Sequence, residues 1–259
     1  MDSGERDELV HTLTRRRTIL AALDDRPRHK RDLTEELHVA RSTIDRALRK
    51  LETEGLVERG DDGFSLTTHG EIAFDVYGDF TERLDALWGA RDVVDALPSS
   101  RFADPTFLRG ASVTRATVSA PDRPVRAFVD LVSAATHARG FSPTAYGAYV
   151  DVFESRVVDA GMTAELAFSD EALEELTTTH KAAIQRAAET GRVDVHRIEP
   201  LPPTGLVVLT REDGSPVVAM GVHDGKGLSA VVKNDTEAAV EWAQELVDDY
   251  LERADPIPL

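Results

Sequence analysis

The stretch Leu33-Thr34-Glu35-Glu36-Leu37-His38-Val39-Ala40-Arg41-Ser42-Thr43-Ile44-Asp45-Arg46-Ala47-Leu48 decides how the first part of the chain is read. Leu33 and Leu37 stand four residues apart and predict a helix of about two turns. Ile44, Leu48 and Leu51, at i, i+4 and i+7, predict another. The connection His38-Val39-Ala40 has the length that joins the two helices of a helix-turn-helix unit. Ser42-Thr43-Ile44-Asp45 has the form of a capping box with Asp45 as the cap, and Gly55 suits the C′ position. Upstream, Leu9, Leu13, Ile19, Leu20 and Leu23 repeat at helical spacing as far as Pro27. Downstream, Leu56-Val57-Glu58-Arg59, the turn Gly60-Asp61-Asp62-Gly63 and Phe64-Ser65-Leu66-Thr67 predict a two-stranded hairpin. Three helices followed by a hairpin predict a winged helix-turn-helix over residues 1–70.

With Ile44, Leu48 and Leu51 inside, the third helix turns Ser42, Thr43, Arg46, Arg49 and Lys50 outward, where a helix that reads the major groove carries its side chains. Arg41 stands at its start. Arg59 on the hairpin is placed to reach a neighbouring phosphate or the minor groove, and Lys30 and Arg31 open the second helix, whose free amides favour phosphate. Arginine forks suit guanine edges and phosphates alike, so these nine residues form the expected face for double-stranded DNA. The stretch from Leu33 to Leu48 resembles archaeal and bacterial winged-helix transcriptional regulators.

The charge balance separates this part from the rest. The 259 residues carry a net charge of -17, and 41% of them are apolar, which fits one large or two ordinary folded domains and excludes an acidic disordered chain. Residues 1–70 hold 13 Lys and Arg against 15 Asp and Glu, so only -2 of the charge belongs there and -15 to the remainder. Twenty-five of the 30 basic residues are Arg and only five are Lys; with the excess of acid, this composition points to a halophilic host. The absence of Cys excludes disulfide scaffolds and cysteine-ligated metal sites. Apolar runs such as Val217–Val222 fall far short of the roughly 18 residues of a membrane span. Asp2, Glu5, Asp7 and Glu8 do not read as a secretory signal, so no membrane partner and a cytoplasmic location are expected.

From Thr68, which looks like a cap, a helix pattern runs to Leu97-Pro98. Tyr77, Phe80, Leu84, Leu87 and Val94 make a stripe along it, and residues 71–97 are read as a linker helix that pairs two copies into a homodimer. Packing of that stripe on the chain's own second domain is the other reading. Residues 98–259 alternate strand and helix patterns. Strands are expected at Ala111–Thr117, His137–Ser142, Met162–Phe168, Val193–Ile198, Gly205–Arg211, Pro216–Val222 and Leu228–Lys233. Helices are expected at Pro124–Ala135, at Ala145–Ala160, as one long element at Asp170–Thr190, and after a Thr236 cap. This predicts an α/β domain with a mixed sheet, parallel first and antiparallel later. Val113-Thr114-Arg115-Ala116-Thr117, Phe141-Ser142-Pro143, Gly205-Leu206-Val207-Val208-Leu209 and Ala239-Val240-Glu241-Trp242-Ala243-Gln244-Glu245-Leu246 resemble the haloarchaeal regulators that fuse a winged helix to the domain named for the methanogenesis filament regulator. The resemblance implies a transcription factor whose C-terminal domain dimerises and senses a small molecule.

No catalytic residue is expected. The eight His residues show no metal-ligand spacing, so neither metal nor cofactor is predicted. Gly221-Val222-His223-Asp224-Gly225-Lys226-Gly227 is one residue short of a phosphate loop and precedes a strand. The resembled domain has been likened to phospholipase D, whose His-x-Lys spacing is supplied by neither His180-Lys181 nor His223 and Lys226. A hydrolase of unknown substrate and a winged helix used only for protein contacts are the alternative functions. An effector is expected in the crevice at the carboxyl ends of the parallel strands, near Ser142, Tyr146 and Ser169, although both serines also stand where helix caps belong.

Overall fold

The computed structural model describes residues 2–224 and 227–258, which divide into two compact units, residues 1–82 and 83–259. The fold is α+β with one large mixed sheet.

In the first unit α1 (Ser3–Asp25), α2 (Lys30–Leu37) and α3 (Arg41–Thr53) precede the antiparallel pair β1 (Val57–Gly60) and β2 (Gly63–Leu66), and α4 (Thr68–Gly89) follows. Leu20, Leu33, Ile44, Leu48, Leu51 and Leu56 are fully buried together. His38 adopts the left-handed conformation that ends α2. Gly63 has φ +120°, and a Cβ there would stand 2.4 Å from the Arg28 carbonyl oxygen. That contact exists because Arg28 forms an isolated antiparallel bridge to the hairpin, its N–H donating to the Phe64 carbonyl (2.9 Å) and its carbonyl accepting from Phe64 N–H (2.8 Å).

Two expected caps are replaced. α3 begins at Arg41 with Ala40 as N-cap and no capping box; Asp45 instead ion-pairs with Lys30 at 2.7 Å, because a helical Asp45 faces the adjacent start of α2. For α4 the cap is Thr67, whose hydroxyl accepts from Gly70 N–H (2.9 Å) and donates to the Gly55 carbonyl (2.6 Å).

The second unit is an α/β sandwich. After α4 come α5 (Arg91–Ala96), a short 3₁₀ turn, α6 (Pro105–Leu108), β3 (Ser112–Arg115), α7 (Arg123–Ser133), β4 (Ala135–Ser142), α8 (Gly147–Val158) and β5 (Thr163–Phe168). Then follow α9 (Asp170–Thr178), α10 (Lys181–Glu189), β6 (Val193–Arg197), β7 (Thr204–Arg211), β8 (Pro216–His223), β9 (Leu228–Asn234), α11 (Glu237–Leu251) and β10 (Asp255–Ile257). The sheet runs β10-β6-β5-β4-β7-β8-β9-β3. β4, β5 and β6 are parallel, and every other pairing is antiparallel. Both faces are buried. Phe141, Leu206, Val218, Met220 and Val232 pack with α11 residues such as Val247 and Tyr250, while Ala138, Ala164, Val207, Ala219 and Val231 pack with Phe128, Val132 and Val157 of α7 and α8.

The helix expected from Thr68 to Leu97 breaks at Gly89-Ala90, where Gly89 has no side chain to hold the turn. Arg115 takes the freed Gly89 carbonyl (2.9 Å) and holds Asp92 by two bonds of 2.7 and 2.8 Å. The helix expected from Asp170 to Thr190 divides after Thr177-Thr178-Thr179, a β-branched run in which Thr177 and Thr178 bond back to carbonyls of the preceding turn. Thr236 occupies the N-cap of α11 without a side-chain bond; Asn234 Oδ1 accepts its N–H instead (2.9 Å). β10 has no counterpart in the sequence reading.

Gly63→Ala is expected to destabilise the first unit by about 2 kcal/mol or more, since a wrong-handed φ and a backbone clash add. Gly55→Ala, at φ +69° with open space around it, is expected to cost only about 1–2 kcal/mol. Hydrogen exchange of peptides from residues 2–82 measures both; equal protection in the two variants would contradict the clash.

Candidate nucleic-acid interface and ligand cavity

α3 separates two chemistries by its periodicity. Ile44, Ala47, Leu48 and Leu51 are fully buried, while Arg41, Ser42, Thr43, Arg46 and Arg49 are exposed. Ser42, Thr43 and Arg46 line a shallow groove whose other wall is Arg15 and Arg16 of α1. Arg15, Arg16, Arg41 and Arg46 have no acidic side chain within ion-pair distance among the described residues. A concave face carrying unpaired guanidinium groups and two hydroxyls has the donor set that holds phosphate oxygens.

The nine residues expected at this face fall into distinct groups. Lys30 is paired with Asp45, and Arg31 with Glu35 at 2.8 Å. Lys50 lies between Glu8 (2.7 Å) and Glu54 (2.8 Å), and those two carboxylates, Glu54 most strongly, raise the pKa of its ammonium. The Lys30 ammonium likewise holds Asp45 below the usual carboxylate range. Arg49 donates to the Asp45 carbonyl of its own helix at 3.3 Å. Arg59 is exposed on β1 with its guanidinium over the Phe64 ring at 6.0 Å, and Lys30 lies 5.4 Å from the same ring. Arg15 and Arg16 are missing from the expected set. The run Arg15-Arg16-Arg17 was visible, but helical spacing within α1 cannot show that this turn faces the start of α3.

On α4, Tyr77 is buried in the first unit's core and donates to Thr14 Oγ1 (3.2 Å), so it leaves the expected stripe. Val94 packs in the second unit's core. Ile72, Val76, Phe80, Leu84, Leu87 and Trp88 remain exposed, Val76 at 62% and Trp88 at 74%.

The second unit holds an apolar cavity of about 110 Å³ between the sheet and α7 to α10. Phe128, Phe153, Leu166, Val207 and Leu228 line its interior, and Ser142, Thr144, Tyr146 and His223 line its polar end. Of the three expected effector residues, Ser142 and Tyr146 line it and Ser169 does not. Ser169 is a helix cap, accepting from Ala172 N–H (3.2 Å) and donating to the Pro143 carbonyl (3.1 Å). Ser142 Oγ is spent on Thr144, donating to its carbonyl at 2.8 Å. In the sequence His223 belongs to a rejected phosphate loop and to a rejected His-x-Lys spacing, and Gly225 and Lys226 lie outside the described residues. Burial holds its imidazole below the usual histidine pKa, and burial raises those of Tyr146 and Tyr149.

Among the described residues no group of three His, Cys, Asp or Glu side chains could hold a metal, and no helix is long and apolar enough to cross a membrane.

No curated protein matches the chain. Among solved structures, TrmBL2, an archaeal chromatin protein, is similar at 15% identity, covering 97% of this chain and 99% of that one with a TM-score of 0.43. Nuc, a phospholipase D family member from Salmonella typhimurium, is similar at 11% identity over 57% of this chain and 98% of that one, TM-score 0.43. NucT from Helicobacter pylori gives 11% identity, the same coverage and a TM-score of 0.41. Residues 5–87 match the HVO_A0261 N-terminal domain. Residues 121–253, more than half of the chain, match the middle domain of the methanogenesis regulatory protein FilR1, and the chain belongs to that family.

Proposed function

We propose that the chain is a sequence-specific DNA-binding transcriptional regulator and not an enzyme, with a winged helix-turn-helix at 1–70, a linker and dimerisation helix at 71–97 and an effector-sensing domain at 98–259. The observation that carries this reading is the groove between α1 and α3, where Arg15, Arg16 and Arg46 stand without acidic partners in a chain of net charge -17. The family match, named for a regulatory protein, supports it. Double-stranded DNA is the partner that fits: α3 enters the major groove with Arg41, Ser42, Thr43, Arg46 and Arg49, and Arg59 on β1 meets the flanking backbone. Lys30 and Lys50 serve chiefly to hold α1, α2 and α3 together through their carboxylate partners, and Arg31 is paired along its own helix.

Affinity for operator DNA recovered by genome-wide occupancy mapping, measured by fluorescence anisotropy, tests this division. Arg46→Ala and Arg15→Ala are each expected to cost about 1–3 kcal/mol of binding. Lys50→Ala is expected to change affinity by less than about 0.5 kcal/mol, because its ammonium is already held by Glu8 and Glu54. Unchanged affinity in both arginine variants would remove the interface from this face.

The exposed α4 side chains from Ile72 to Trp88 support a homodimer, with Ile72, Val76, Phe80 and Leu84 at four-residue spacing forming one seam. Light scattering in molar KCl is expected to give twice the 28.3 kDa chain mass, and Phe80→Asp with Leu84→Asp to give the single mass. A monomeric unsubstituted protein at micromolar concentration would overturn the seam.

A further inference from the structure

Among the described residues that line the cavity of the second unit, His223 carries a fully buried polar atom without a hydrogen-bond partner. His223 Nδ1 stands 3.2 Å from the Pro203 carbonyl oxygen, which accepts only if that nitrogen carries the proton. The proton placement leaves Nε2 as a bare acceptor. It is buried, has no hydrogen-bond partner among the described residues, and belongs to a ring that lines the cavity. Three of the other polar groups there are engaged: Tyr146 with the Leu228 backbone, Ser142 with Thr144, and Glu154 with Arg186. A buried acceptor left unmade costs about 1–3 kcal/mol, so a donor brought by a ligand recovers more than an ordinary surface hydrogen bond.

The walls select the rest of the molecule. Tyr146 and His223 present parallel rings, 3° apart in plane with centroids 6.2 Å apart. Tyr149 stands 5.2 Å from Tyr146 and 4.4 Å from Phe128, centroid to centroid. Aromatic walls favour a flat guest. Glu154, the charged side chain in the lining, is neutralised by Arg186, so a charged guest would lose its hydration without gaining a counter-ion. A cavity of about 110 Å³ is in the range of the engineered apolar cavity of about 150 Å³ that takes up benzene.

We infer that this cavity binds an uncharged, flat, apolar molecule of benzene to indole size that carries one hydrogen-bond donor, which bonds to His223 Nε2. Burial keeps the imidazole neutral near pH 7, so the acceptor is retained under ordinary conditions. The regulatory meaning of the site rests on the reading of the second unit as a sensor; the binding itself does not.

Indole and benzofuran have nearly the same shape, and benzofuran replaces the N–H donor by oxygen. Calorimetric titration of each into the full chain is expected to show both binding, with indole tighter by about tenfold, the factor that one hydrogen bond to a buried acceptor supplies. His223→Phe is expected to erase the difference while leaving benzofuran affinity within about threefold, a shift of under 1 kcal/mol. Ala219→Phe, which fills the cavity, is expected to abolish both. Uptake of neither probe by the unsubstituted protein would overturn the cavity as a site, and equal affinities would overturn the role of His223; both comparisons stand even if a variant fails to fold. Operator affinity measured with and without saturating indole separates the two readings. A change supports the sensor, and indole binding without a change leaves the site standing while removing its regulatory role.

Discussion

The pairing of β4 with β7 is the constraint on which the larger unit depends. It joins the parallel strands β4, β5 and β6 to the antiparallel strands β7, β8 and β9, so the centre of the sheet is covered on both faces. A strand buried on both sides has no solvated face for polar side chains. β7 accordingly reads Leu206-Val207-Val208-Leu209, alternating between the two cores without a polar residue. On β7 and β8 the polar residues stand towards the strand ends, with Thr204 and His223 beside Ser142 at the end of β4, whereas β4 and β5 also carry the mid-strand pair Arg139–Glu165. A ligand that enters between the sheet and the helices therefore meets apolar walls, with its polar contacts at one end only.

The smaller unit resolves a different conflict. A surface that attracts DNA must carry positive charge, yet three helices with clustered Arg and Lys at close quarters repel one another. Lys30 on Asp45, Arg31 on Glu35, Arg28 on Glu36 and Lys50 on Glu8 and Glu54 neutralise charge where helices meet or along their own turns. Arg15, Arg16, Arg41 and Arg46 have no such partner among the described residues, and Arg15, Arg16 and Arg46 line one groove beside α3. Their being arginines matters, because a planar fork is less strongly hydrated than an ammonium and binds phosphate or guanine by two bonds at once.

Legibility in the sequence followed the range of the interactions. The stripes of α1, α2 and α3, the hairpin turn and most sheet strands were readable, because each rests on periodicity or turn residues within a few positions. Long helices were over-extended at Gly89 and at Thr177–Thr179, where the break depends on Arg115 claiming a distant carbonyl or on hydroxyls competing with the helix. The Asp45 cap failed for a similar reason: its partner Lys30 lies fifteen positions earlier in the sequence. At the candidate sites, Arg41, Ser42, Thr43 and Arg46 followed from the face opposite Ile44 and Leu48. Arg15 and Arg16 required the packing of α1 on α3, and the cavity required residues from β4 to β9 and α7 to α10 to be brought together. Ser142 and Ser169 illustrate the limit, since strand-end position alone cannot distinguish a cavity wall from a cap.

A comparison of the two buried histidines of the sheet explains why His223, and not His196, is suited to hold a neutral guest. His196 has both ring nitrogens buried without hydrogen bonds, His223 only Nε2. His196, on β6, has Nε2 3.6 Å from Glu165 Oε1, and Glu165 in turn accepts from Arg139, which also holds Asp248. Its Nε2 thus stands beside a carboxylate that belongs to a network of charges. At His223 burial outweighs the neighbouring Asp224 charge; its Nδ1 stands at a carbonyl and its ring lies parallel to that of Tyr146. Protonating His223 would bury a cation against an apolar wall, so burial favours the neutral ring, whose covered Nε2 lone pair is left without a donor among the described residues.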